Sequence, residues 1–294
     1  MQLRGSYTAI VTPFLDDKVD ETSLRSLARW HLEQGSSGIV ACGTTGEAAT
    51  LTSAETAQVI RACAEECHKA GKVLIAGAGT NATAKTIANV QHAKQAGADF
   101  ALVVTPYYNK PGQEGLFRHY EAIGKQGGLP VVVYNIPGRT ACDLLPETMA
   151  RLAQLPAIVG IKEASGNISR AAEILEKCGD RLAVLAGDDL FVVPTLSVGG
   201  HGVISAVANV LPADFAKMCS AWFAGDAKAA GRIQTRMAPL VKAMFLESNP
   251  QPVKYALQRM GKIKSAELRL PLVSVTAETA GKIDAALRSH GVLV

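Results

Sequence analysis

Lys162 is the residue hardest to explain as scaffold. It ends the run Ala157-Ile158-Val159-Gly160-Ile161, so its stem projects from an apolar strand. Lysine is almost never fully buried without a reason. An ordinary ammonium is no nucleophile at neutral pH. Desolvation disfavours the charged form, and apolar sites make Schiff-base lysines in this way. The blander readings are an ion pair with Glu163 or a side chain that snorkels to water.

Other chemistry-bearing residues follow short apolar runs in the same way. Tyr134 ends Val131-Val132-Val133, where a hydroxyl could relay protons between an imine nitrogen, a substrate oxygen and water. It could equally be a wall aromatic whose hydroxyl finds a backbone partner. Thr44 and Thr45 stand between glycines in Gly43-Thr44-Thr45-Gly46-Glu47. Two hydroxyls and loop N–H groups suit a small carboxylate, or else they build a Ser/Thr-type turn. Arg139, in Ile136-Pro137-Gly138-Arg139-Thr140, carries a planar fork that suits a second carboxylate. A surface salt bridge is the alternative use. Further runs of this kind lead into Pro106-Tyr107-Tyr108-Asn109, Gly187-Asp188-Asp189 and Ser205.

The elements that would position these residues alternate regularly. Apolar, β-branched runs occur at 7–12, 38–42, 73–78, 100–105, 131–135, 158–162, 182–186 and 202–205. Helical periodicity fills the gaps at 21–34, 52–70, 82–96, 114–126, 146–155, 167–178 and 189–198. Residues 52–55 read as a capping box. Strands that are apolar throughout and separated by helices belong to a parallel sheet buried on both faces. Eight such units predict an α/β fold, a (β/α)8 TIM barrel, in which chemistry collects at the carboxyl ends of the strands. Beyond residue 205 the strand pattern stops and only helices follow, broken near Gly225, Pro250, Gly261 and Pro271. We therefore expect a barrel domain over 1–224 and a C-terminal helical extension over 225–294. The rival, an open doubly wound sheet, lacks its usual nucleotide fingerprint: no G-x-G-x-x-G follows the first strand, and no phosphate-loop motif occurs. Gly77-Ala78-Gly79 reads as a tight turn.

Composition narrows the classes further. The chain has 294 residues, 48% hydrophobic and 19% charged, with net charge +4. It has no basic run, so no nucleic-acid partner is expected. It has no apolar stretch near 18 residues, so no membrane span is expected. No signal-type run is evident near the N-terminus, and the expected location is the cytoplasm. Six sparse cysteines argue against a disulfide scaffold. Cys63, Cys67 and His68 lack a second pair at ligand spacing, and the six histidines mostly fall on helices, so no metal is expected. No G-x-S-x-G supports a serine hydrolase.

The segments 43–47, 105–109, 134–140, 162–166, 187–189 and 199–205, taken in order and spacing, resemble the pyruvate-dependent class I aldolase and lyase family along nearly the whole chain. The resemblance implies the barrel with helical extension, and a mechanism with no cofactor. Lys162 would form an imine with pyruvate, and its enamine would attack aspartate semialdehyde. Tyr134, Thr44 and Tyr108 would form a proton relay, with Tyr108 supplied by a second copy of the chain. Thr45 would hold the pyruvate carboxylate, and Arg139 that of the semialdehyde. Backbone groups at Gly187 and Ile204 would line the pocket. The implied assembly is a homotetramer built as a dimer of dimers. Gly138-Arg139-Thr140 follows the synthase branch of the family; the sibling sugar-acid lyases are the alternative. Lysine-inhibited members carry an allosteric lysine pocket. Ala49, Asn81 and Tyr107 match it, but Ser53 and Thr56 replace histidines, and Lys85 replaces a glutamate. The expectation is weak or absent inhibition by lysine.

Overall fold

A computed structural model describes residues 3–293 of the chain; the outer limits at 1 and 294 used for the two expected domains lie outside the described residues. Eight parallel strands close on themselves: β1 (Gly5–Ala9), β2 (Gly38–Ala41), β3 (Val73–Gly77), β4 (Phe100–Val104), β5 (Val131–Asn135), β6 (Ile158–Glu163), β7 (Ala183–Ala186) and β8 (Gly202–Ser205). β1 pairs with both β2 and β8, which shuts the barrel. This is the expected (β/α)8 architecture.

Strand alternation sorts the side chains into two layers. Tyr7, Val40, Ile75, Leu102, Val132, Tyr134, Leu185 and Ile204 fill the barrel interior. Ile39, Leu74, Val103, Val133, Ile161 and Val184 point outward and pack beneath the helices.

The helices are α1 (Glu21–Glu33), α2 (Ser53–Lys69), α3 (Thr83–Gln95), α4 (Gln113–Gln126), a one-turn α5 (Pro137–Thr140), α6 (Pro146–Leu152), α7 (Ile168–Cys178), α8 (Val192–Ser197), α9 (Pro212–Phe223), α10 (Ala227–Ala243), α11 (Gln251–Arg259) and α12 (Ala277–Ser289). α2 starts at the expected capping box, in which Thr52 accepts from the Glu55 N–H and the Glu55 carboxylate takes the Thr52 N–H. Apolar residues of the C-terminal helices, among them Leu240, Val253, Leu257, Ile283 and Leu287, join the same buried cluster as the outer barrel layer.

Several local details depart from the sequence expectation. β1 begins at Gly5 instead of residue 7, because Gly5 and Ser6 pair by backbone with Gly202 and Val203. The chain also leaves the sheet after Ala9, and the Val11 N–H donates to the Asn209 side chain. The helix expected over 189–198 begins only at Val192, since Asp188 turns the chain by accepting from the N–H groups of Leu190 and Phe191. A two-stranded ribbon, Phe14–Leu15 with Lys18–Val19, was too short to leave a pattern.

The strand ends approach one another closely. A Cβ added to Gly77, at the end of β3, would stand 2.0 Å from the Cys42 carbonyl oxygen. Only glycine lets the loop after β2 cross there, and that loop carries Thr44 and Thr45.

Candidate active site

Lys162 and Tyr134 are direct neighbours across the sheet, paired in register between β5 and β6. Both side chains point into the barrel, and both are more than nine-tenths buried. Lys162 Nζ lies 4.3 Å from the centre of the Tyr134 ring. Among the described residues Lys162 forms no ion pair. The suggested pair with Glu163 does not form, because consecutive strand residues face opposite sides. Glu163 points outward, where Asn135 Nδ2 donates to its Oε2 at 3.1 Å and the Ser165 N–H to its Oε1 at 2.6 Å. Burial raises the Glu163 carboxyl above its usual range, against these hydrogen bonds. Asn135 also donates to Asp143, and Arg170 grips Asp143 with two bonds of 3.0 Å. This outer network ties together the strand ends that carry Tyr134 and Lys162.

The stem of Lys162 is packed by backbone. A Cβ at Gly187 would meet Lys162 Cγ at 3.0 Å, the Glu163 carbonyl oxygen at 3.0 Å and Ala164 Cβ at 2.7 Å. Asp189 follows two residues later and is 1% exposed. Burial pushes its carboxyl up to about 6, opposed by a short hydrogen bond from Ser205 and by the charge of Lys162. Ile204, in register with Tyr7, is fully buried in the barrel interior.

Thr44, Tyr134 and Arg139 line one cavity of about 670 Å³, together with Ala49, Lys85 and Tyr107. Lys162 adjoins this cavity through Tyr134; Lys162, Thr45, Gly187, Ile204 and Asn81 are not on its lining. Among the described residues neither the Thr44 hydroxyl nor the Tyr134 hydroxyl makes a hydrogen bond, so neither is spent on the wall or on a local turn. Arg139 sits exposed on α5 and forms no ion pair among the described residues. α5 itself is fixed by Thr140, whose hydroxyl hydrogen is shared between the Ile136 and Cys142 carbonyls and whose oxygen accepts from Thr105. Tyr108 does not line the cavity; it is 88% exposed, with φ 74°. The Asn81 carbonyl accepts from Asn109 at 2.8 Å.

Two members of the surroundings gave no signal in the sequence. Asn249 Nδ2 donates to Thr45 Oγ1 at 2.9 Å. Lys254, fully buried, donates to Glu47 Oε1 at 2.5 Å and to the Glu267 carbonyl at 2.6 Å. Asn249 lies 204 residues from Thr45 and Lys254 lies 207 from Glu47, where spacing carries no information. Cys63 and Cys67 are buried, and His68 pairs with Asp99 at 3.1 Å. Among the described residues no three His, Cys, Asp or Glu side chains gather as donors for a metal ion.

The model of the dihydrodipicolinate synthetase family matches residues 2–290. The chain belongs to that family. The 4-hydroxy-tetrahydrodipicolinate synthase of Anaeromyxobacter sp. (strain K) is 52% identical over 292 residues, 99% of this chain and 98% of that one. The enzyme of the same name from Nitratidesulfovibrio vulgaris (strain DSM 19637 / Miyazaki F) is 48% identical over the full length of both. Among solved members of the family, the Thermotoga maritima dihydrodipicolinate synthase superimposes with a TM-score of 0.97 at 41% identity over the whole of both chains. The Acinetobacter baumannii enzyme, described as chloride-inhibited and complexed with pyruvate, gives 0.96 at 43% identity over 99% of each.

Proposed function

We propose that the chain is a class I synthase that condenses pyruvate with aspartate semialdehyde to 4-hydroxy-tetrahydrodipicolinate, a step in lysine and diaminopimelate biosynthesis. The observation that carries this reading is Lys162. It is buried at the carboxyl end of a barrel strand, makes no ion pair among the described residues and is set against Tyr134. Full-length relatives that share the synthase name favour it over the sibling sugar-acid lyases.

The Lys162 amine adds to the keto carbon of pyruvate, water leaves, and the resulting imine acts as the electron sink in place of a cofactor. Loss of a methyl proton gives the enamine. Its carbon attacks the aldehyde, and the new alkoxide takes a proton. The amino group of the second substrate then attacks the imine carbon and displaces Lys162, closing the ring. One water is released overall. Tyr134 and Thr44, with hydroxyls free of wall contacts, carry the protons. Tyr108 joins them from a second copy of the chain: its near-complete exposure, beside a half-exposed Tyr107, fits a residue that finishes a neighbour's site. Thr45 holds the pyruvate carboxylate, Arg139 the carboxylate of the semialdehyde, and the backbone at Gly187 and Ile204 closes the pocket around the reacting carbon. We place the enzyme in the cytoplasm as a homotetramer, a dimer of dimers; among the described residues no helix is long and apolar enough to cross a membrane.

Borohydride reduction in the presence of pyruvate, followed by peptide mapping, tests the mechanism. The expected result is a reduced pyruvyl adduct on the peptide containing Lys162, absent from Lys162→Met. A folded native protein without that adduct overturns the reading. Turnover of N-acetylneuraminate or 2-keto-3-deoxygluconate, without turnover of aspartate semialdehyde, would reassign the chain to the sibling lyases.

A further inference from the structure

The loop after β2 is held from the far end of the chain. Asn249, just before α11, is 7% exposed and belongs to the cavity wall. Its Nδ2 donates to Thr45 Oγ1, itself 3% exposed. A hydroxyl has one hydrogen, and an N–H that occupies its oxygen leaves that hydrogen to be given elsewhere. Within the loop the Thr45 hydroxyl has no other partner among the described residues. Asn249 Oδ1 is buried and also lacks a partner among them.

The rest of the loop is braced by the same stretch of chain. Glu47 has φ 53°, a conformation that non-glycine residues avoid. Its carboxylate is anchored by Lys254 Nζ and by the N–H of Arg269 at 3.1 Å. Thr12 adds a bond from its hydroxyl to the Gly46 carbonyl. The loop backbone is therefore fixed immediately after Thr45, and the orientation of the hydroxyl is left to Asn249.

We infer that Asn249 is a positioning residue for keto-acid binding: by donating to Thr45 Oγ1, it makes the Thr45 hydroxyl an outgoing donor for the carboxylate of pyruvate. The inference rests on the proposed use of Lys162 and Thr45. Losing Asn249 frees the hydroxyl to rotate and weakens substrate binding, while the lysine that does the chemistry is untouched. Asp at this position is worse than Ala, since a carboxylate would claim the Thr45 hydrogen and repel the incoming carboxylate.

The test is borohydride trapping on Lys162 as a function of pyruvate concentration, which needs no second substrate. For Asn249→Ala the half-saturating pyruvate rises about tenfold, and the trapping rate at saturation stays within about threefold. Asn249→Asp shifts further. Asn249→Ser substitutes if the alanine variant does not fold. In a Thr45→Val background, Asn249→Ala adds no more than twofold, because its effect runs through the hydroxyl. Half-saturation within twofold of native in a folded variant overturns the inference, as does a full-sized shift in the Thr45→Val background. If the native chain itself forms no adduct, the proposed function falls, and this inference falls with it; native trapping with unmoved half-saturation in the variants removes the inference alone.

Discussion

Lys254→Met removes a charge from a place where water cannot replace it. The Lys254 and Glu47 side chains are 0% and 1% exposed, with 2.5 Å between Nζ and Oε1. The ammonium also rests 4.2 Å from the centre of the Phe14 ring. Burial pulls the lysine below its ordinary pKa, and the neighbouring Glu47 charge opposes that pull. Methionine fills the space of the stem but leaves the Glu47 side chain buried without its cation, with only the Arg269 N–H still bound. Breaking such a pair from one side costs ~3–5 kcal/mol. At ~2–4 °C of Tm per kcal/mol for a chain of this size class, the expected fall is roughly 6–20 °C. Glu47→Gln combined with Lys254→Met removes both charges and should recover part of the loss. Thermal unfolding by circular dichroism, at matched protein concentration, reads both variants. A single variant within about 2 °C of native would refute the reasoning, and so would a double variant less stable than the single one.

Gly187→Ala should slow adduct formation on Lys162 by more than tenfold, because the new methyl meets Lys162 Cγ and the Glu163 carbonyl at 3.0 Å; an unchanged trapping rate would show that the lysine stem has room. Acid should destabilise the fold through His31, whose complete burial pulls its pKa down to about 3, from 6.5. Below pH 6.5 the unfolded chain takes up a proton that folded His31 refuses, so stability falls as pH drops towards 3, by up to ~1.4 kcal/mol per pH unit. His119, lowered to about 4 by burial, adds to this, whereas Asp189, raised to about 6, opposes it between ~4 and 6. His31→Gln should flatten the slope of Tm against pH, and an unaltered slope would remove His31 from the account. Added lysine should leave the rate nearly unchanged: Lys85 stands on the cavity wall with Ser53 and Thr56, and its ammonium repels that of the ligand. Half-maximal inhibition at low lysine concentration would contradict this.

The barrel could be read in the sequence because most strands are runs of β-branched and aliphatic residues buried on two faces. Tyr134 and Lys162 stood out for the opposite reason: each is a polar group ending such a run, and alternation then decides that it points inward. What escaped was structure held by backbone or by distance. Gly5 and Ser6 have no strand propensity, yet β8 pairs with them. The one-turn α5 is set by threonine hydroxyls on carbonyls. Asn249 and Lys254 gave no signal, since nothing in local spacing announces a partner 204 or 207 positions away.

Those long-range contacts also bear on the order in which the protein is made. Thr45 and Glu47 are synthesised early, but the groups that hold them, Asn249, Lys254 and Arg269, emerge near the end. As domains fold from the N-terminus during synthesis, the barrel strands can find one another before the mouth is finished. A nascent chain would carry Lys162 already set in its wall while the loop opposite still lacked its braces. Competence to bind substrate would then arrive with the last helices, as a late checkpoint on a nearly complete fold.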